Sequence, residues 1–227
     1  MEDEANMAGA SLAERPVVLF DFDGTVVDTG PAVLRVARET LWSAGYTDEQ
    51  IPDLTPIIGP PIEMGFMMTM GVSREEADRL VARYREIFAE TVHPGDYPPP
   101  EGMVELLRDL TSAGRRLAVA TSRLERSCLE MLQGIDLDVF EVVCGRVYGV
   151  RETKADSIRG ALAGLHARPE DAVMVGDRFN DVEGAHEVGL PCVGIYSGAA
   201  APGEHERAGA EAICHSVEEL RAILLPR

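Results

Sequence analysis

The chain has 227 residues and a formal charge of −18, from 21 basic and 39 acidic side chains. This charge argues against nucleic acid or an anionic membrane as the main partner, and 45% apolar residues are enough for a hydrophobic core. The opening residues, "MEDEANMAGA", lack the positive start of a signal peptide, and no apolar run reaches the about 20 residues of a membrane-spanning helix. We therefore expect a cytoplasmic protein.

The first part of the chain is predicted to hold one strand and then only helices. Residues 1–14 are predicted to be a loose acidic leader. The apolar run "VVLF" indicates a buried parallel strand at residues 16–23. Helical periodicity follows, and the proline-rich segment "HPGDYPPPEG" ends it, since proline neither continues a helix nor joins a central strand. Residues 30–96 are therefore predicted to form a helical cap.

The second part alternates strands and helices. Helices predicted at 102–113, 123–133, 153–166 and 178–188 alternate with the strands "RLAVAT", "FEVVCG", "DAVMVGD" and "PCVGIY". Such alternation implies right-handed crossovers and a parallel, doubly wound sheet. We expect an α/β core made of residues 15–29 and 97–227, with the cap inserted after the first strand.

Polar side chains follow several of these strands, where ligands of open parallel sheets gather. They are Asp21, Asp23, Thr121, Ser122, Lys154, Asp177 and Asp181. Four carboxylates brought together raise one another's pKa values unless positive charge compensates them. Lys154, the only lysine of the chain, supplies one charge, and a hard divalent cation would supply two. The pattern therefore predicts a site for Mg²⁺ and phosphate.

The two acids of "DFDGT" suit phosphoryl transfer. Asp21 is predicted to be the nucleophile, because a carboxylate needs no base before it attacks phosphorus. Asp23 points to the same side of an extended backbone and would protonate the leaving group, then take a proton from water. Gly24 permits a positive φ, which would aim nearby N–H groups at phosphate oxygens. Lys154 would neutralise charge on the transferring group.

These motifs together resemble the haloacid dehalogenase (HAD) superfamily of phosphatases from Pro16 onward. Its four motifs are matched by "DFDGT", "ATS", the Lys154 region and "GDRFND". The resemblance implies a HAD-like Rossmannoid core, and Mg²⁺ held by Asp21, the Asp23 backbone carbonyl and Asp177, with Asp181 in support. It also implies phosphate binding by Thr121 and Lys154, and we extend this expectation to Gly24, Thr25, Ser122 and Arg123.

The segments "IIGPPI", "AVATSR" and "VMVGDRFNDVEGAHEVGLP" resemble the branch of phosphoglycolate phosphatases and bacterial 5′-nucleotidase-like enzymes. This resemblance implies a small phosphorylated metabolite as substrate, either 2-phosphoglycolate or a nucleoside 5′-monophosphate. Arg178 stands where many superfamily members have Ser or Thr, and Leu124 replaces a frequent proline. Neither departure removes a catalytic role.

Substrate choice is expected to lie in the cap. Two prolines fix the shape of the loop formed by Gly59, Pro60 and Pro61, and we expect this loop to face the catalytic acids. Cap arginines could also contact substrate; they are Arg35, Arg38, Arg74, Arg79, Arg83 and Arg85. Two alternatives stay open: a sugar-phosphate mutase with the same core site, and a non-catalytic regulatory protein that binds a phosphorylated ligand. The sequence does not indicate the oligomeric state.

Overall fold

A computed structural model describes residues 11–225. A parallel sheet of six strands forms its centre, in the order β3-β2-β1-β4-β5-β6. The strands are β1 (Val17–Phe20), β2 (Arg116–Leu124), β3 (Val142–Arg146), β4 (Ala172–Gly176), β5 (Cys192–Ile195) and β6 (Ala212–Cys214). The helices are α1 (Gly30–Ser43), α2 (Ile62–Met70), α3 (Arg74–Thr91), α4 (Met103–Ser112), α5 (Glu125–Gly134), α6 (Lys154–Gly164), α7 (Phe179–Val188), α8 (Glu204–Ala208) and α9 (Val217–Leu224).

Burial of the strands on both faces explains their nearly continuous apolar sequence. Every residue of β1 and of β4 is buried, and these two neighbouring strands pair in parallel register from Val17 opposite Ala172. One apolar cluster lies on each face of the sheet, with α4, α5 and α9 on one side and α6 and α7 on the other. The predicted α/β class with a parallel, doubly wound sheet is confirmed.

Helices α1, α2 and α3 follow β1 and precede the rest of the sheet. They pack around an apolar cluster of their own, which includes Leu41, Phe66 and Leu80. The rings of Phe66 and Tyr84 meet edge to face at 6.2 Å inside it. Because this cluster is separate from the two that flank the sheet, the insert has its own source of stability.

Strand β2 is longer than predicted. It continues to Leu124, which pairs with Arg146 of β3, and α5 begins only at Glu125, so the expected helix start at residue 123 was wrong. The pairing with β3 stabilises the extended backbone of residues 122–124 against helix formation. This extension places Arg123 on a strand end rather than on a helix.

Three elements near the end of the chain were not predicted: α8, β6 and α9. Strand β6 has three residues at the edge of the sheet, too few to show a period. Helix α9 did carry a start signal, since the Ser216 hydroxyl accepts a hydrogen bond from the Glu219 N–H at 3.1 Å.

The predicted leader lies largely outside the described residues, because residues 1–10 are not described. At its described end, the Ala13 carbonyl accepts a hydrogen bond of 2.8 Å from Arg115, and Leu12 packs against the core. Within residues 11–225 no helix is both long and apolar enough to cross a membrane.

Candidate active site

Three buried aspartates meet at the carboxyl edge of the sheet. Asp21 directly follows β1, and Asp177 directly follows the neighbouring strand β4. Asp181 lies in the first turn of α7 and is fully buried. Each offers a carboxylate oxygen within 4.8 Å of the other two. The topology therefore brings residues far apart in sequence into one acidic cluster.

One ammonium group compensates part of this charge. The Nζ atom of Lys154 lies 2.8 Å from Asp21 Oδ1 and 2.6 Å from Asp181 Oδ1, and it donates to the Ala120 carbonyl at 3.2 Å. Burial alone would lower the pKa of Lys154, but the attraction of the two aspartates raises it above its usual value. Lys154 is therefore held charged in the centre of the site.

The single positive charge of Lys154 does not compensate the three carboxylates of the cluster. Burial, opposed only in part by Lys154, raises the pKa of Asp21 from 3.8 to about 6. Burial and then the charge of Asp181 raise the pKa of Asp177 well above its usual value. The Oδ1 atom of Asp177 is buried and accepts no hydrogen bond from any described residue. An unsatisfied carboxylate oxygen in an oxygen-only donor set fits a hard divalent cation such as Mg²⁺.

Two glycines allow backbone to approach Asp177. Gly24 has a φ of +77°, and a Cβ there would lie 2.3 Å from Asp177 Oδ2. A Cβ at Gly198 would lie 1.7 Å from the same oxygen. The positive φ expected at Gly24 is present, but its N–H donates to the Val27 carbonyl at 2.8 Å and is not free for phosphate. Thr25 is fully buried beside it and does not line the cavity between the sheet edge and the helical insert.

Asp23 lies in an ion pair rather than in the acidic cluster. The Arg123 side chain donates to both of its carboxylate oxygens: Nε to Oδ2 at 2.8 Å and to Oδ1 at 3.1 Å, and Nη2 to Oδ1 at 2.6 Å. The Thr29 hydroxyl donates to Asp23 Oδ1 at 2.6 Å. Burial would raise the pKa of Asp23, but Arg123 and Thr29 hold it below its usual value. Asp23 is therefore ionised in this arrangement.

A cavity of about 690 Å³ opens onto these acids between the sheet edge and the helical insert. From the sheet side it is lined by Asp21, Asp23, Thr121, Ser122 and Arg123. From the insert it is lined by the loop that contains Gly59, Pro60 and Pro61. Lys154, Asp177 and Asp181 lie behind this lining and are buried.

Five of the six cap arginines considered from the sequence form ion pairs with acids of the insert. The pairs are Arg35–Glu39, Arg38–Asp48, Arg74–Asp78, Arg79–Glu75 and Arg83–Glu86. The sixth, Arg85, lines the cavity, where its guanidinium lies 5.5 Å from the ring centroid of Tyr148 and its Nη2 contacts the Tyr148 hydroxyl. Arg85 is therefore the cap arginine placed to meet a bound anion.

Several cavity residues were missed from the sequence. The aromatic side chains Tyr84, Phe88, Tyr97 and Tyr148 line it, and so does Glu63. Arg146 also lines it, and its place at the end of β3 is the same signal that singled out residues after β1, β2 and β4. The aromatic residues carried no such signal: the helical spacing of Tyr84 and Phe88 equally fits ordinary core packing, and Tyr97 and Tyr148 lie outside the helices and strands.

Comparison with known proteins agrees with the fold. Residues 18–195 match the family of haloacid dehalogenase-like hydrolases. The chain is 34% identical to tyrosine-protein kinase PtkA of Mycobacterium tuberculosis over 95% of its own length and 75% of that protein. It is 32% identical to a 5′-nucleotidase of Pseudomonas aeruginosa, with 92% of this chain and 95% of the relative covered.

Among solved structures, the crystal structure described as "a predicted phosphatase from Clostridium acetobutylicum" superposes with a TM-score of 0.85. The two chains are 31% identical, and the match covers 92% of this chain and 97% of that one. Fold and site thus define an α/β hydrolase whose acids lie at the carboxyl edge of a parallel sheet. The chain belongs to the haloacid dehalogenase-like hydrolase family.

Proposed function

We propose that the chain is a Mg²⁺-dependent phosphatase that hydrolyses a small phosphomonoester through an aspartyl-phosphate on Asp21. The observation that carries this proposal is the position of Asp21. Its carboxylate borders the cavity on one side and lies within ion-pair distance of Lys154 on the other. A nucleophile needs both access to substrate and a fixed orientation, and this position supplies both.

Asp21, Asp177 and the Asp23 backbone carbonyl would hold the metal, with Asp181 in support. Bound Mg²⁺ would neutralise charge on the cluster and on the phosphoryl oxygens, which favours attack by an anionic carboxylate. The unsatisfied Asp177 oxygen and the excess of carboxylates over the single ammonium support this assignment.

In the first step Asp21 attacks phosphorus, a P–O bond forms to the carboxylate, and the bond to the leaving alcohol breaks. Lys154 and the hydroxyl of Thr121 stabilise the charge of the transferring group. Asp23 gives its proton to the departing oxygen. Arg123 holds Asp23 ionised before substrate binds, and a phosphate that draws on Arg123 would weaken that pair and favour protonation of Asp23.

In the second step water attacks the aspartyl-phosphate. Asp23, now ionised, takes a proton from that water, so that inorganic phosphate leaves and Asp21 is restored. Asp23 releases that proton when phosphate leaves and the ion pair with Arg123 forms again, so it is ionised before the next substrate binds. Between turnovers the ion pair with Arg123 keeps the Asp23 carboxylate in the lining of the cavity.

The cavity favours a nucleoside 5′-monophosphate over 2-phosphoglycolate. A volume of about 690 Å³ lies well inside the roughly 300–1,000 Å³ range of drug-sized ligand pockets, and 2-phosphoglycolate would fill little of it. The aromatic lining also suits a leaving group with an apolar face. The relative named 5′-nucleotidase supports the same choice.

The proposed function includes a cytoplasmic location and a cap role for residues 30–96. The cysteines at 128, 144, 192 and 214 are all free and buried, which fits a reducing compartment. Residues of the insert line the same cavity as Asp21 and Asp23. This position supports a role of the insert in excluding water during phosphoryl transfer.

The test is phosphate release from a panel that includes AMP, UMP, 2-phosphoglycolate, glucose phosphates and pyridoxal phosphate, with Mg²⁺ and with EDTA. We expect release that requires Mg²⁺ and is greatest for a nucleoside monophosphate. Intact-mass analysis after acid quench should detect a phosphoryl adduct that the Asp21→Asn variant does not form.

Three outcomes would contradict the proposal. Isomerised sugar phosphate without free phosphate would identify a mutase. Transfer from ATP to a protein tyrosine, with no release from any monoester, would indicate the activity for which the mycobacterial relative is named. Ligand binding without turnover and without an effect of Mg²⁺ would indicate a regulatory protein.

A further inference from the structure

One loop of the insert is attached to the core at both of its ends. This loop, defined as Ile58–Glu63, includes the two prolines and the first two residues of α2, and it forms the roof of the cavity. At its first end, Nη1 of Arg178 donates to the Ile58 carbonyl. At its other end, Nη1 of Arg146 contacts Glu63 Oε1. The roof is therefore connected to the sheet domain by two arginines.

The two arginines come from opposite sides of the nucleophile. Arg146 ends β3 and Arg178 follows β4, and in the sheet order these strands lie on either side of β1, the strand that carries Asp21. Contacts from both sides fix the position of the loop over the site, whereas one contact would leave it free to pivot.

Each arginine is also anchored within the core by an acid. Arg146 Nε donates to Glu152 Oε2 at 2.9 Å. Arg178 Nε donates to Glu204 Oε1 at 2.8 Å, and Glu204 accepts a further hydrogen bond from the Ala201 N–H at 2.9 Å. These anchors orient both guanidinium groups before they meet the loop.

The fit at the loop is close. Gly59 has a φ of +105°, and a Cβ there would lie 2.8 Å from Arg178 Nη1 and 2.9 Å from its Cγ. On the other side, the side chains of Glu63 and Arg146 are only 3% and 11% exposed. Such a buried ion pair favours one geometry of the two side chains. Its Coulomb attraction is largely offset by the hydration that both groups lose, so the pair can break and form again.

We propose that Arg146 and Arg178 are positioning residues that form a clasp on the Ile58–Glu63 loop, closing the cavity over leaving groups large enough to reach its roof. The clasp itself is a property of the fold, whereas its effect on turnover depends on the proposed function. Reversible closure is what turnover requires, because substrate must enter and product must leave.

The first measurement does not depend on enzymatic activity. Amide hydrogen exchange of residues 57–66 should become at least about tenfold faster in Glu63→Gln, because the neutral side chain leaves Arg146 undercompensated when the loop is closed. Arg178→Gln should have the same effect. Arg178→Gln leaves the buried Glu204 carboxylate without its charged partner. If this prevents folding, the double variant Arg178→Gln/Glu204→Gln replaces the single variant in the measurement.

The matched control is Arg151→Gln, which breaks the half-buried Arg151–Glu125 pair beside β3, where both partners belong to the core. It should leave exchange of the loop unchanged. A double-mutant cycle should show coupling between Glu63 and Arg146 and none between Glu63 and Arg151. Unchanged loop exchange in both Glu63→Gln and Arg178→Gln would overturn the clasp.

The second measurement compares the best phosphomonoester of the panel with acetyl phosphate, which is too small to reach the roof. The clasp predicts that Glu63→Gln raises KM for the larger substrate by about tenfold and changes kcat/KM for acetyl phosphate by less than about twofold. Equal losses for both substrates would mean that the residues act only through general stability. If the wild type releases no phosphate at all, the proposed function fails, and loop exchange still decides the clasp.

Discussion

The ammonium of Lys154 lies 2.8 Å from Asp21 Oδ1, and both side chains are less than a tenth exposed. In this setting the lysine both orients the nucleophile and compensates buried charge. We expect Lys154→Met to lower kcat/KM by at least about a hundredfold, as for loss of a preorganised transition-state donor. Phosphate release under saturating Mg²⁺ would measure this effect.

The same substitution should destabilise the fold at neutral pH by roughly 3–5 kcal/mol, the usual cost of removing one partner from a buried ion pair. The loss should shrink at about pH 5, because the raised pKa of Asp21, about 6, lets that carboxyl protonate there. Denaturant unfolding at both pH values provides the comparison. An equal loss at both would contradict the electrostatic explanation, and Arg116→Gln, in an exposed ion pair, serves as the control.

Binding of Mg²⁺ should stabilise the chain more at about pH 7 than at about pH 5. Burial raises the pKa of Asp21 from 3.8 to about 6 in the folded chain. Between these values the folded chain holds more protons than the unfolded chain, so this group's contribution to stability falls as pH rises through that window. Above the window the carboxylate is ionised, so protons no longer compete with the metal for its oxygens.

At a free Mg²⁺ concentration about 100 times Kd, the gain in unfolding free energy should be about 2.7 kcal/mol at neutral pH. Thermal unfolding with Mg²⁺ and with EDTA would measure it. Asp177→Asn should abolish the response, because it removes one of the proposed ligands. A response that persists in this variant would place the metal elsewhere.

The strand ends explain how much of this site the sequence could predict. Asp21 and Asp177 follow strands and Lys154 begins a helix. The alternation of these elements fixes a parallel sheet, and its carboxyl edge brings the three residues together. The contact between Glu63 and Arg146 joins residues 83 positions apart, and no period in the sequence relates them. Local sequence patterns predict secondary-structure elements and their buried faces. The partner of a long side chain depends on how these elements pack, which local patterns do not encode.

Arg123 illustrates a second limit. The sequence placed it among phosphate-binding residues, whereas the described structure pairs it with Asp23 through its Nε and Nη2 groups. Its direction follows from the unexpected continuation of β2 to Leu124, which depends on pairing with β3. In a helix that began at residue 123, the Arg123 side chain would point in a different direction. The error in the helix boundary therefore prevented prediction of the ion pair between Arg123 and Asp23.

Gly24→Ala should weaken metal binding, because a Cβ there would lie 2.3 Å from Asp177 Oδ2 and would displace that carboxylate. We expect the Mg²⁺ concentration at half-maximal activity to rise by at least about tenfold, as for loss of a supporting contact around a metal ligand. A titration of phosphate release with Mg²⁺ measures this concentration.

Gly45→Ala is the matched control. Gly45 also has a positive φ, +93°, but a Cβ there would meet nothing within 4 Å. Both substitutions should cost about 1–2 kcal/mol of stability through backbone strain, and only the change at Gly24 should alter the response to Mg²⁺. Equal responses would mean that strain, rather than the contact with Asp177, is the cause.

Arg85 should contribute to substrate binding, whereas its neighbour Arg83 should not. Arg85 lines the cavity and forms no ion pair with an acid among residues 11–225, while Arg83 pairs with Glu86 at 2.8 Å on the same helix. Arg85→Gln should raise KM by roughly tenfold with little change in kcat, because a hydrogen bond to a charged group is lost equally in ground and transition states. Arg83→Gln should leave both constants unchanged, and Arg85→Lys should recover part of the loss. If both Gln variants leave KM unchanged, Arg85 makes no charged contact with the substrate. The cap arginines would then not select the substrate, and the shape of the cavity would do so.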